Sequence, residues 1–136
     1  MARVVMKGNS GNAGLFSTAD DMALYASMLL NGGQWNNHRI LSPLGVKAFT
    51  QIPQGYESFG RALGWDLNSD YASNQGDLLS PDTYGHTGYT GTSMIIDPQQ
   101  KLAIIFLTNR VHPDDKGSVV RLRSLVANSI AASLTR

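Results

Sequence analysis

Between Thr90 and Asn109 the chain carries two apolar runs separated by Asp97-Pro98-Gln99-Gln100, and this feature limits the fold most. Ile95 and Ile96 precede the break, and Leu102, Ala103, Ile104, Ile105, Phe106 and Leu107 follow it. Pro98 fixes one turn dihedral, so Thr90 to Asp97 and Lys101 to Asn109 read as an antiparallel hairpin. Near-continuous apolar strands need cover on both faces. The rest of the chain must supply it.

Helical signals lie on either side. Ser17 or Thr18 caps a helix whose first turn holds Asp20 and Asp21, well placed for the helix dipole. Met22, Tyr25, Ala26, Leu29 and Leu30 recur at helical spacing until Asn31-Gly32-Gly33 ends the run. Ser42 followed by Pro43 predicts a shorter helix with Leu44, Val46, Ala48 and Phe49 in its body. From Arg61 to Leu67 the sequence alternates, with Leu63, Trp65 and Leu67 on one face, which predicts a half-buried strand. Asn68 to Pro81 has the composition of a long surface loop. A final helix is expected from Asp114 or Asp115 to Leu134, lying across the sheet with Val119, Leu122, Val126 and Ile130 as its apolar stripe. No repeat or linker divides the chain, so residues 1–136 read as a single unit. Its class is α+β, an antiparallel β-sheet with flanking helices. Three strands make a small sheet, which leaves room for more at an edge.

The 136 residues carry a formal net charge of +1 and only 15% charged side chains, while Ser, Thr, Asn and Gln fill 36 positions. Such a surface has no electrostatic footprint for nucleic acid or an anionic membrane. The longest apolar runs, such as Leu102 to Leu107, are far short of the roughly 20 residues that cross a bilayer, so no membrane span is expected. The absence of cysteine excludes a disulfide scaffold, a thiolate metal site and a cysteine nucleophile, but does not distinguish cytoplasm from periplasm.

Chemistry concentrates in Tyr84-Gly85-His86-Thr87-Gly88-Tyr89-Thr90-Gly91, leading into the strongest strand. Glycines there allow close approach by a ligand or another backbone, and the following amides can face an oxyanion. The plain alternative is a glycine-rich turn with a solvent histidine. No phosphate-binding loop or zinc-helix motif is present, and His38, His86 and His112 are scattered, so no metal or cofactor is expected. Gly8-Asn9-Ser10-Gly11 falls short of a nucleophile elbow, and Asp20-Asp21 and Asp114-Asp115 are explained as helix starts.

Gly11-Asn12-Ala13-Gly14-Leu15-Phe16-Ser17-Thr18-Ala19-Asp20-Asp21-Met22-Ala23 resembles the G-x-A-G-L-x-S-T-A-x-D-L-A segment of the serine β-lactamase-like superfamily. That group includes class C β-lactamases, penicillin-binding proteins, DD-peptidases and related esterases. Leu29-Leu30-Asn31-Gly32-Gly33, Ile40-Leu41-Ser42-Pro43, Gly85 to Thr92 and Leu107-Thr108-Asn109-Arg110 follow in the order and spacing of the same superfamily. The likeness runs through nearly the whole chain.

The resemblance implies the C-terminal part of the β-lactamase/transpeptidase-like fold, because the first half of such enzymes supplies an S-x-x-K helix with the nucleophilic serine. No serine here has lysine three positions on, and the S-x-N letters of Ser10-Gly11-Asn12 fall within a later family element. His86-Thr87-Gly88 corresponds to the third motif, usually K-T-G. By that likeness the Tyr89 N–H forms half of an oxyanion hole, His86 supports proton transfer or orients substrate, and Thr87 frames the binding strand. Histidine in place of lysine removes a permanent cation. The partners so implied are the absent N-terminal half and a small amide or ester substrate, with a periplasmic or secreted location. An uncovered sheet edge, at Arg61 to Leu67 or Thr90 to Asp97, is open to pairing with a second copy. The contrasting expectation is a non-catalytic accessory module, such as one following a family 3 glycoside hydrolase.

Overall fold

The Thr18 hydroxyl accepts the Asp21 N–H at 3.1 Å, and helix α1 runs Ala19–Leu30 from that cap. This is a computed structural model, which describes Val4, Lys7 and residues 13–67, 69–70 and 72–135. Ser10 and the Ser10-Gly11-Asn12 letters lie outside the described residues.

After α1 a two-stranded ribbon forms, β1 Gln34–Trp35 against β2 His38–Arg39, which the periodicity did not announce. Asn36 and Asn37 both take positive φ, as a two-residue hairpin turn demands. Ser42 then caps helix α2, Pro43–Thr50, accepting the Gly45 N–H at 2.9 Å.

The main sheet holds three antiparallel strands in the order β3 Tyr84–Thr87, β4 Ser93–Asp97 and β5 Leu102–Phe106. The expected hairpin is present, with Ile95 opposite Ile104 and Asp97 opposite Leu102. Every residue of β4 is buried, and its side chains divide between two cores. Met94 and Ile96 join Ala26, Met28, Leu29, Val46, Trp65 and Tyr84 on one face. Ile95 joins Ile104 and Ala127 on the other, beneath helix α3, Val120–Ser133. Both faces are therefore covered, and the architecture is α+β.

Four expectations need correction. Arg61 to Leu67 is not a strand: only single bridges join Arg61 to Asp66 and Asp66 to Gly85. Gly64, at φ +84°, turns the chain back, with Ala62 N–H donating to the Trp65 carbonyl at 3.0 Å. Leu63 is left exposed at the tip while Trp65 is buried. The last helix starts at Val120 because Asp115 adopts φ +54° and the two aspartates bind side chains instead, Asp114 with Lys116 and Asp115 with Arg110. Its buried positions are Arg123 and Ala127, one residue out of register with the expected stripe, and Leu122 is exposed. The loop from Asn68 to Pro81 is not wholly superficial, since a 3₁₀ turn at Ala72–Gln75 contacts α3 and buries Asn74. Finally, Thr90 to Asp97 supplies the central strand, so it offers no edge; among the described residues the outer side of β5 is unpaired and that of β3 is met only by the bridge from Asp66 to Gly85. No helix among them is long and apolar enough to cross a membrane.

Candidate active site

His86, Thr87, Gly88 and Tyr89 lie together where β3 ends, so the motif belongs to a strand of its own rather than to the lead-in of the hairpin. Gly85 exchanges both backbone hydrogen bonds with Asp66 across the outer edge, at 2.9 and 2.8 Å. In an antiparallel ladder such outward pairs alternate. Tyr84 and His86 therefore bond to β4, whereas Thr87, opposite Ser93, presents its N–H and C=O to the outer edge. Tyr89, two residues on, lies in the turn after β3, and among the described residues nothing accepts its N–H.

A tight loop follows. The Gly88 N–H donates to the Thr92 carbonyl at 2.7 Å and the Gly91 N–H to the Gly88 carbonyl at 3.1 Å. A Cβ on Gly88 would stand 2.3 Å from the Thr92 hydroxyl oxygen, so any larger residue there requires the Thr92 side chain to shift.

His86 is exposed, and its ring is held at both nitrogens. Nδ1 lies 2.9 Å from the Thr87 carbonyl, which can only accept, so Nδ1 carries the proton. Nε2 then accepts from Arg61 Nη2 at 3.4 Å. Arg61 also reaches the buried carboxylate of Asp66 at 3.9 Å. The cation missing from the H-T-G letters is thus brought to the same edge by a residue 25 positions earlier.

Tyr89 is exposed and fixed from its far side. Its hydroxyl donates to Asp115, and the Arg110 guanidinium lies 4.1 Å above its ring. Arg110 Nε donates to the Tyr89 carbonyl at 2.6 Å, and Nη1 bridges to Asp115 at 2.9 Å. Behind the loop, Arg123 is buried and binds the carbonyls of Gly88 and Thr92. Thr87, Gly88, Tyr89, Arg110, Ser118 and Arg123 line a cavity of about 250 Å³. Beneath β3, Tyr84 stacks edge-on with Trp65 at 5.1 Å, and burial together with nearby Tyr25 pushes its pKa up to about 12. The phenol stays protonated and serves packing.

Sequence reasoning located the four motif residues but missed Arg61, Asp66, Arg110 as a Tyr89 partner, and Arg123. The first two are separated from His86 by a loop. Arg123 lies one position beyond Leu122 of the expected apolar stripe, on a face where pattern reading expects polar residues to meet solvent, and no local signal marks it.

The class the fold defines is α+β, an antiparallel sheet flanked by helices that carries H-T-G at the end of its first strand. A Beta-lactamase family model matches residues 2–128, and the chain belongs to that family. Two proteins named "Putative D-alanyl-D-alanine carboxypeptidase" are similar to it over 109 residues, 43% identical in Escherichia coli O157:H7 and 45% in Salmonella gallinarum. Each alignment covers 79% of this chain and 25% of the relative, so the chain spans about a quarter of their length. The crystal structure of a family VIII carboxylesterase superposes with a TM-score of 0.51 at 25% identity, covering 78% of this chain and 29% of that one.

Proposed function

We propose that residues 1–136 are the C-terminal portion of a β-lactamase-family serine hydrolase, in which they form the substrate-binding strand and half of the oxyanion hole. The observation that carries this reading is the Tyr89 N–H, in the turn directly after His86-Thr87-Gly88, without an acceptor among the described residues and on a peptide whose Gly88 carbonyl is held by the Gly91 N–H. In acyl transfer a serine oxygen adds to the substrate carbonyl, and the carbonyl oxygen takes up the charge until the amine or alcohol leaves. Two N–H donors aimed at that oxygen stabilise it. Tyr89 supplies one, and the nucleophile's own N–H supplies the other. The outward N–H and C=O of Thr87 pair with the substrate backbone as an added strand. Gly88 allows the close turn. His86 orients Arg61, whose guanidinium provides the cation for an anionic group on the substrate. The names of the relatives favour small amides and esters as substrates.

Alone, the chain lacks an S-x-x-K serine and is expected to be inert. Incubation with a fluorescent penicillin and a p-nitrophenyl ester, followed by intact mass, should show no adduct; a stoichiometric acyl group on any serine contradicts the reading. In the longer polypeptide, His86→Ala should reduce kcat/KM by roughly 10²- to 10⁴-fold, the range for a positioned acid–base or orienting group. An unchanged kcat/KM in His86→Ala would make His86 a turn residue, whereas a longer polypeptide that hydrolyses neither ester nor amide would favour the accessory-module reading.

A further inference from the structure

The Gly88–Tyr89 peptide is one planar trans unit, so its C=O and N–H point in opposite directions. Whatever fixes the Gly88 oxygen also fixes the direction of the Tyr89 N–H. That oxygen receives Nη2 of Arg123 at 3.1 Å as well as the Gly91 N–H at 3.1 Å. The same Nη2 donates to the Thr92 carbonyl at 2.9 Å. Two carbonyl oxygens from opposite ends of the loop thus converge on one cationic nitrogen, which offsets their mutual repulsion. Nη1 reaches the Asn74 side-chain oxygen at 3.2 Å, which sets the plane of the guanidinium.

Arg123 is only 6% exposed and meets no carboxylate among the described residues. Burial, and then the charge of Arg110, lower its pKa, both marks of an unfavourable setting for a cation. A buried charge without a partner ion costs more than an apolar side chain of similar volume would. On packing grounds alone, a leucine or methionine at this buried position would serve better. What arginine adds is its fork: one fixed plane that holds two carbonyls and the Asn74 amide together, which a lysine ammonium cannot reproduce.

We infer that Arg123 is a positioning residue for the oxyanion-binding amide: it holds the Gly88 carbonyl inward so that the Tyr89 N–H faces the open edge of β3. A charge-assisted bond to the carbonyl also polarises the peptide and makes its N–H a stronger donor. Arg110 completes the clamp by holding the next carbonyl, that of Tyr89, at 2.6 Å. The purpose assigned to the clamp rests on the acyl-transfer reading above, whereas the clamp itself is open to test in the 136-residue chain.

The test is by NMR on isotope-labelled protein, comparing wild type with Arg123→Met and Arg123→Lys. In Arg123→Met the Gly88 carbonyl carbon and the Tyr89 amide nitrogen and proton should shift, while resonances of Ile96 and Ala103 in the opposite core stay in place. Arg123→Lys should restore these shifts only in part. Unmoved Gly88 and Tyr89 resonances in a folded Arg123→Met chain overturn the inference. Should that variant not fold, wild type decides: a through-hydrogen-bond coupling between Arg123 Nη2 and the Gly88 carbonyl carbon supports the clamp, and its absence overturns it. In the longer polypeptide, Arg123→Lys should lower kcat by about tenfold or more with little change in KM, approaching the loss of an oxyanion donor. An intact clamp in a polypeptide that hydrolyses neither ester nor amide overturns the acyl-transfer reading instead.

Discussion

Asp97 is the most buried charged side chain in the described structure, and it faces no cation there. Its oxygens accept the Ser80 N–H and hydroxyl, each at 2.7 Å, the Gln99 N–H at 2.9 Å and the Gln100 N–H at 3.1 Å. Burial alone would raise its pKa, but the bonds from Ser80, Gln100 and Gln99 together outweigh that and lower it. A carboxylate with a depressed folded pKa contributes stability that is fully present above its unfolded value, about 3.9, and is lost as pH falls through the folded value. The urea midpoint should therefore drop below about pH 4. Asp97→Asn should cost about 2 kcal/mol at neutral pH and flatten that drop. Identical acid slopes for wild type and variant, measured by urea titration at pH 7 and pH 3, would remove Asp97 from this role. The residue was legible as part of a turn from Asp97-Pro98, but not as the anchor of Ser80, because no pattern links positions 17 apart.

Elements were legible where local chemistry alone decides them. Thr18 and Ser42 cap α1 and α2 as their side chains dictate, and the apolar runs pair in the expected hairpin. They were illegible where tertiary bonds overrule pattern. Arg61 to Leu67 has a strand's alternation, yet Gly64 at positive φ and the bridge from Asp66 to Gly85 turn it into a tight reversal. The two descriptions make different demands on Leu63. A strand with Leu63, Trp65 and Leu67 on one face would lose several kcal/mol on truncating any large member. In the observed turn Leu63 is 59% exposed and Trp65 5%, with Tyr25, Phe49 and Tyr84 around the indole. Leu63→Ala should change stability by less than about 0.5 kcal/mol, and Trp65→Ala should cost about 3–5 kcal/mol. Comparable losses at both sites in denaturant titrations would restore the strand.

On the scale of the whole molecule, the accessible surface is 9495 Å², against roughly 6,900 Å² expected for a compact monomer of this mass. The excess includes large apolar side chains such as Leu15, Phe16, Leu44, Leu107 and Leu125, each more than half exposed. Order and spacing of motifs were enough to read the family from the sequence, since they run along the chain. Which strand would be left unpaired was not, because it depends on how the sheet is ordered across the chain. Among the described residues, β5 has no partner on its outer side. By the alternation of the β4–β5 ladder, Leu102, Ile104 and Phe106 bond inward, while Ala103 and Ile105 present N–H and C=O groups outward. An unpaired edge flanked by exposed Leu107 is a template for another strand. The isolated chain should therefore self-associate through β5, and Leu107→Lys should weaken this by setting a charge beside the edge. Light scattering across a tenfold concentration range should show mass rising with concentration for wild type and less steeply for the variant. Strictly monomeric wild type would mean that the edge is closed within the chain, and equal association of the two proteins would move the contact away from β5.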